Sequence, residues 1–324
     1  MKVHILDDWF DTLRGLPCFD LLAGHDVTVW TDHQPDEAIL ADRLQDADCV
    51  VLFRERTKVT RGLLERLPNL RLISQRGAYP HVDVAACTDQ GVLLCSNKGA
   101  DGANHAAAEL TFALILAAMR QLPQQMASVK AGNWQMGVGR SLRGRRLGLY
   151  GYGRIGRVVA DYARAFGMEV VWWSSEAGRA QAKADGETVP ESRAAFFGTC
   201  DVVSLHLRLT SETRGSVTAD DLGAMPPRSV LVNTSRAGLI AEGALLQALN
   251  AGHLGAAAVD VFDFEPLTDP SDPLLSHPKM IATPHIGFVT EDEFDKQFAD
   301  IFEQVNAYAA GAPIHMINPS VYAP

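Results

Sequence analysis

A chain of 324 residues is too long for one ordinary core and fits two domains of about 100 to 200 residues each, with a cleft between them. With 47% hydrophobic and 21% charged residues, it has the composition of a soluble globular protein. Its formal net charge of -10 excludes a nucleic-acid surface or an anionic membrane as partner, because the average field attracts neither, and any anionic ligand must be met by local basic groups.

The N-terminus, MKVHILDDWF, meets an acidic pair too early for a secretory apolar region, and the most apolar stretch, Leu110 to Met119, falls short of the roughly 18 residues of a spanning helix. A cytoplasmic protein is expected. Short β-rich runs then follow in order, KVHIL, DVTVW, DCVVLF, LRLIS and GVLLCS, separated by segments long enough for helices. That alternation implies βαβ units on a parallel sheet, whose strands read as continuous apolar runs. The alanine- and leucine-rich segment His105 to Leu122 predicts a helix apolar on nearly every side, buried, and passing between the domains. From Arg146 a second series begins, RLGLYG, EVVWWS, DVVSLH, RSVLVN, GAAAVD and KMIAT, whose strands match a complete dinucleotide-binding sheet. The amphipathic segment Glu291 to Ala310 returns to the first domain and closes it. The predicted fold is α/β, with a flavodoxin-like substrate domain of residues 1–100 plus 290–324 and a Rossmann domain of residues 101–289, each a doubly wound parallel sheet. Cys18, Cys49, Cys87, Cys95 and Cys200 are scattered, with no CxxC pair and no His/Cys cluster at metal spacing, so neither a disulfide nor a metal is expected.

GYGRIG, Gly151 to Gly156, stands directly after the apolar strand Leu147 to Tyr150 and directly before the helical pattern RVVADYARAF. In that context Gly151 makes the tight turn, Gly153 lets backbone approach a pyrophosphate, and Gly156 allows close helix packing. The helix N-terminus, with Arg154 and Ile155, receives the phosphates. About 20 residues further on, an NAD enzyme usually places an acid for the ribose hydroxyls. Here strand two ends WWSSE, and Ser174 takes that place. A hydroxyl neither repels a 2'-phosphate nor binds the diol bidentately; Arg179, Arg154 and Arg208 are candidates to pair with a phosphate, and Glu176 is the candidate displaced acceptor. The expected cofactor is NAD or NADP, with NADP slightly favoured.

Further along, Arg236 in NTSRAG follows the strand Ser229 to Asn233, Glu265 in DVFDFEP comes just beyond Gly255 to Asp260, and His285 in TPHIG follows Met280 to Thr283. A lone histidine is more often a satisfied structural residue, and a lone Glu-Pro is a loop. Three such residues at three strand C-termini, where open α/β sheets bind ligands, are better explained by chemistry. Arg236 stays protonated and offers two parallel hydrogen bonds to a carboxylate and a polarised carbonyl. His285 carries a proton, and Glu265 orients the imidazole and stabilises its charged form. With GYGRIG, these pieces point to a nicotinamide-dependent enzyme acting on a 2-hydroxy or 2-oxo acid.

The segments GYGRIG, SLHLRLTSETRG, LVNTSRAG, AVDVFDFEPL and TPHIG resemble the D-isomer-specific 2-hydroxyacid dehydrogenase family, and the resemblance covers essentially the whole chain. It implies Arg236 as the substrate-binding arginine, Glu265 as the histidine-orienting acid and His285 as the general acid/base. By the same likeness Asp260 contacts the nicotinamide carboxamide, and Thr234, Ser235 and His206 lie beside the cofactor. RERT, Arg54 to Thr57, and RGAYPHVD, Arg76 to Asp83, look like the family's substrate loops, where backbone amides receive the carboxylate; Arg54, Gly77, Ala78 and Tyr79 are the substrate-binding candidates. Asn104 and Glu109 begin the interdomain helix in a similar way. RERTKVT resembles the phosphoglycerate dehydrogenase branch, but the chain ends without the regulatory domain many of those enzymes carry, so serine feedback through such a domain is not expected.

Three departures from the family pattern stand out: Ser174 for the usual acid, Arg208 where a proline often follows SLHL, and AYPH for a glycine-richer loop. Tyr79 and His81 either narrow the pocket or serve packing. The expected substrate is a small unphosphorylated acid, glyoxylate or hydroxypyruvate. The alternatives are a 3-phosphoglycerate dehydrogenase and a dinucleotide-sensing protein like the related corepressors. Formate dehydrogenase is disfavoured because it needs no carboxylate-charged histidine. Gln121 to Gly144, which carries Met126, Trp134 and Met136 without a place in either sheet, predicts a homodimer.

Overall fold

The computed structural model describes residues 1–97 and 105–322. The chain divides into two compact units, Met1–Asp101 with Thr290–Pro324, and Gly102–Val289. The expected domain boundary after residue 100 and Asn104 lie outside the described residues.

In the first unit, β1 (Lys2–Ile5), β2 (Asp26–Val29), β3 (Cys49–Val51), β4 (Leu72–Arg76) and β5 (Leu93–Asn97) form an all-parallel sheet in the order β2-β1-β3-β4-β5. This is the flavodoxin-like order, with its switch point between β1 and β3. Helices α1 (Glu37–Arg43), α2 (Arg61–Leu64) and α3 (Val84–Asp89) each start at a side-chain cap, where Asp36, Thr60 and Asp83 accept first-turn amides that the helix cannot satisfy itself.

The second unit opens with α4 (His105–Arg120) and α5 (Leu122–Lys130). The helix expected to run to Leu122 ends at Arg120, because Gln121 takes a left-handed φ of 55° and Pro123 starts a new helix. Nor is α4 buried all round: Phe112, Leu114, Ile115 and Met119 lie in the core, whereas Glu109, Ala113 and Arg120 are exposed. There follow β6 (Arg146–Tyr150), α6 (Arg154–Ala165), β7 (Glu169–Trp173), α7 (Glu176–Ala184), α8 (Arg193–Thr199), β8 (Val202–Leu205), α9 (Ala219–Ala224), β9 (Val230–Asn233), α10 (Ala244–Asn250), β10 (Ala256–Val259) and β11 (Met280–Ala282).

The parallel Rossmann sheet runs β11-β10-β9-β8-β6-β7, so its switch point falls between β6 and β8. The usual order carries one more strand beyond the second. Here that position is held by the extended segment at Thr188, whose carbonyl accepts the Trp172 amide at 2.9 Å without a strand forming.

The last helix, α11 (Glu291–Ala309), belongs to the first unit. Its Phe294 and Phe298 pack on Phe53, the Phe53 and Phe298 rings lying 4.8 Å apart, and Phe302 meets Phe19. Each such burial stabilises by about 1.5–3 kcal/mol and anchors the residue before Arg54. Beyond α11, Met316 pairs antiparallel with Cys95 and covers the β5 edge, which would otherwise expose unpaired backbone. Among the described residues, all five cysteines are buried free thiols, no cluster of three metal-ligating side chains occurs, and no helix is long and apolar enough to cross a membrane.

Candidate active site

The glycine loop of the second unit is built by steric necessity. Gly151, at φ 118°, lies so close to the neighbouring β8 crossover that a Cβ would collide with the His206 carbonyl. At Gly156 a Cβ would stand 3.1 Å from the Trp172 ring and 3.2 Å from the Gly151 carbonyl, so glycine allows the closest approach of α6 to the sheet. A Cβ at Gly153 would meet nothing within 4 Å. The cradle in front of the α6 N-terminus is therefore open, and it suits a pyrophosphate held by backbone amides and the helix dipole. Arg154 and Ile155 begin α6 there. Tyr152 in the same loop is tethered outward: its hydroxyl donates to Asp185 at 2.6 Å and its ring meets Trp172 edge-on.

Ser174 sits immediately after β7, with Glu176 exposed at the start of α7. Arg179 stacks over Trp173 at 4.4 Å and donates to the Ser174 carbonyl, which brings a guanidinium to the residue that would face a ribose. Arg208 is exposed on its loop. His206 follows β8, bonded through its amide to the Tyr150 carbonyl and through its ring to Ser204; desolvation pushes its pKa down to about 4, so it is a neutral side chain at this position.

Arg236, Glu265 and His285 all follow strand C-termini of this sheet. Asn233 ends β9 and shapes the next turn: its side chain accepts the Ser235 amide at 3.0 Å and donates to the Arg236 carbonyl at 2.9 Å. Ser235 donates to the Leu205 carbonyl at 2.7 Å, and Thr234 pairs with Thr111 of α4. The turn that presents Arg236 is thus tied on both sides. Glu265 receives the Phe262 amide on one oxygen at 2.9 Å and His285 Nδ1 on the other at 2.6 Å. Burial alone would raise the Glu265 carboxyl; the hydrogen bond and charge of His285, with the Phe262 amide and Arg236 behind them, outweigh it and hold the carboxyl below its usual range. A carboxylate at Nδ1 makes that nitrogen the donor and leaves Nε2 as the ring nitrogen able to exchange a proton.

Asp260, for which the family likeness implies a contact to the nicotinamide carboxamide, directly follows β10. It is fully buried, and its two oxygens receive the Thr283 hydroxyl at 2.6 Å and the Ile286 and Gly287 amides at 2.8 Å each. These donors flank His285, which stands at a left-handed φ of 55°. The carboxylate thereby holds the histidine loop.

In the first unit, Arg54 follows β3 at φ 59°, and its Nη1 lies 3.3 Å from where a Gly77 Cβ would stand, which places the guanidinium against the Gly77–Ala78–Tyr79 turn. The Tyr79 ring packs against the unit's own core, and burial lowers the His81 pKa, so the turn offers backbone rather than side chains. Arg56 is committed elsewhere: it lies 3.9 Å over Trp9 and 4.2 Å over Phe53 and donates to the Asp7 carbonyl at 2.6 Å. Reading the sequence overlooked the supports of these loops, Asn233, Thr283, Gln75 and Ser96. A polar residue in an otherwise apolar strand run, as in LRLISQ and GVLLCS, is the signal that could have found Gln75 and Ser96.

A family model described as D-isomer specific 2-hydroxyacid dehydrogenase, NAD binding domain, matches residues 112–287. The chain is 35% identical to a D-3-phosphoglycerate dehydrogenase of Methanocaldococcus jannaschii, over 84% of its own length and 52% of that protein. To a glyoxylate reductase of Aeropyrum pernix it is 33% identical, over 92% of this chain and 91% of that one. It therefore spans about half the length of the phosphoglycerate dehydrogenase relatives it matches. Among solved structures, a phosphoglycerate oxidoreductase of Vibrio cholerae superposes with a TM-score of 0.91 and 45% identity, covering 96% of this chain and 100% of that one.

Proposed function

This chain belongs to the D-isomer-specific 2-hydroxyacid dehydrogenase family, and within it we propose a reversible dehydrogenase that moves a hydride between a nicotinamide cofactor and C2 of a small 2-oxo or 2-hydroxy acid. The observation that carries this reading is the 2.6 Å pair of His285 and Glu265, with Arg236 close enough to bias the same carboxyl. The bound nicotinamide supplies or takes the hydride. His285 exchanges a proton with the C2 oxygen through Nε2, Glu265 stabilises the charged imidazole, and Arg236 holds and polarises the oxo acid. Arg54 and the amides of the Gly77–Tyr79 turn receive the carboxylate. The intact Arg, Glu and His set supports catalysis over a purely dinucleotide-sensing role.

A small unphosphorylated acid, glyoxylate or hydroxypyruvate, is favoured over 3-phosphohydroxypyruvate because Arg56 is held between two aromatic rings and is spent on the Asp7 carbonyl. NADP is slightly favoured, supported by Ser174 in place of an acid and by Arg179 at its carbonyl. A homodimer is supported by α5 and the segment after it: α5 buries none of its residues, and Met126, Trp134 and Val138 are 60%, 76% and 84% exposed. One screen tests the reading: 2-oxo acids with NADH and NADPH in parallel, followed spectrophotometrically. Absence of turnover across the panel would sink it, and a kcat/KM for 3-phosphohydroxypyruvate more than about 100-fold above that for hydroxypyruvate would reassign the substrate.

A further inference from the structure

We propose that Gln75, buried at the end of β4, is a positioning residue that turns the amide N–H groups of Ala78 and Tyr79 outward to receive the substrate carboxylate; the inference rests on the function proposed above. Gln75 is 0% exposed. Its Nε2 lies 3.3 Å from the carbonyl oxygens of both Gly77 and Ala78 and 2.9 Å from Ser96 Oγ, which itself donates to the Gly77 carbonyl at 2.9 Å. In a planar trans peptide the carbonyl and the following N–H point in opposite directions. Two consecutive carbonyls drawn inward therefore drive two consecutive amides, those of Ala78 and Tyr79, away from the core. The φ of 97° at Gly77, open to glycine without strain, lets both peptide planes face the same way. Successive amides pointing together form a concavity that binds anions, and polarisation of the carbonyls by the buried donors strengthens the N–H dipoles beyond them. Neither amide donates to any described residue. The Arg54 guanidinium lies against the same turn.

Packing alone does not account for a glutamine here. Gln304, also fully buried, donates to the Gln75 carbonyl at 3.1 Å and fixes the strand, yet Gln75 Oε1 has no partner. An unpaired buried oxygen costs free energy that an apolar residue of the same length would avoid. The amide is retained for its donors.

The test is Gln75→Met, similar in length but without donors, in the full chain, with Gln75→Glu beside it. Steady-state kinetics with glyoxylate at saturating cofactor should show KM raised about tenfold or more, kcat within about threefold, and cofactor affinity unchanged by fluorescence titration, the pattern of lost ground-state binding. The glutamate variant should recover a lower KM at acid pH, where a protonated carboxyl donates to one carbonyl again, a response that a merely structural role would not produce. Should Gln75→Met fail to fold, Ser96→Ala, which removes one donor from the Gly77 carbonyl, carries the same comparison with a smaller rise. Turnover in the parent with an unchanged KM in the folded variant overturns this inference alone; a parent that reduces no 2-oxo acid overturns the proposed function and this inference with it.

Discussion

Replacing Glu265 with glutamine isolates the charge behind the proposed proton donor. The amide keeps the length and an acceptor oxygen, so His285 Nδ1 can stay bonded while the negative charge is lost. A hydrogen bond to a charged partner contributes about 1.5–3 kcal/mol. The two side chains are 26% and 33% exposed, and solvent screening places this pair at the low end of that range. About 1.4 kcal/mol corresponds to a factor of ten in rate, so glyoxylate reduction by Glu265→Gln should be roughly tenfold slower than in the parent. The sign for stability is separate. Glu265 has its folded-state pKa depressed, so its contribution is present above the unfolded value and lost as pH falls through the folded value; Glu265→Gln should lose that acid-side dependence. Stopped-flow or steady-state rates between about pH 5 and 9, with His285→Ala as the reference for complete loss of general acid catalysis (about 100-fold or more), decide the matter. Undiminished reduction by a folded Glu265→Gln protein would refute the assignment.

Three further outcomes are expected. Ser174→Asp restores a diol acceptor beside Arg179 and repels a 2'-phosphate, so the ratio of kcat/KM values should move toward NADH; a parent that already rejects NADPH strongly would make Glu176 the better candidate acceptor. The parent should scatter light as a dimer at micromolar concentration, and Trp134→Glu should yield a monomer; a monomeric parent ends the dimer proposal. Asp260→Asn turns an amide donor toward the Gly287 or Ile286 amide, so turnover should fall about tenfold while cofactor titration is little changed; full activity would show that the buried carboxylate does not hold the histidine loop.

What could be read from the residues follows from how each signal is encoded. The parallel strands announce themselves because both faces are covered, so VVLF, VLLC and VLV are unbroken apolar runs. The proposed catalytic residues are visible because Arg236, Glu265 and His285 each follow such a run, and their meeting is a consequence of strand polarity. The end of α4 was hidden by apolar continuity through Leu122, although Pro123 signalled a new helix start. The position beside β7 could not be read, because one hydrogen bond at Thr188 replaces a whole strand. The Gln75, Ser96 and Gln304 network is nearly invisible in one dimension, since Gln75 and Gln304 are 229 positions apart and only packing of α11 on β4 brings them together.

Asp260 shows the same division between stability and use. Burial raises its carboxyl, and the Thr283 hydroxyl with the Ile286 and Gly287 amides only partly reverses that. A carboxyl whose folded-state pKa exceeds its unfolded one stabilises the fold fully only below the unfolded value, and that contribution is lost as pH rises through the folded value. In its ionised form the group is therefore a liability to the fold. Three donors converge on it from the segment 283–287, and that segment holds His285 in a left-handed conformation that a non-glycine residue adopts at a cost. Two unfavourable features placed against each other yield one rigid loop. An apolar residue at position 260 would relieve the buried charge and release the loop, leaving the histidine free to leave the Glu265 carboxylate. The disposition of Asp260 is best understood as serving the placement of His285.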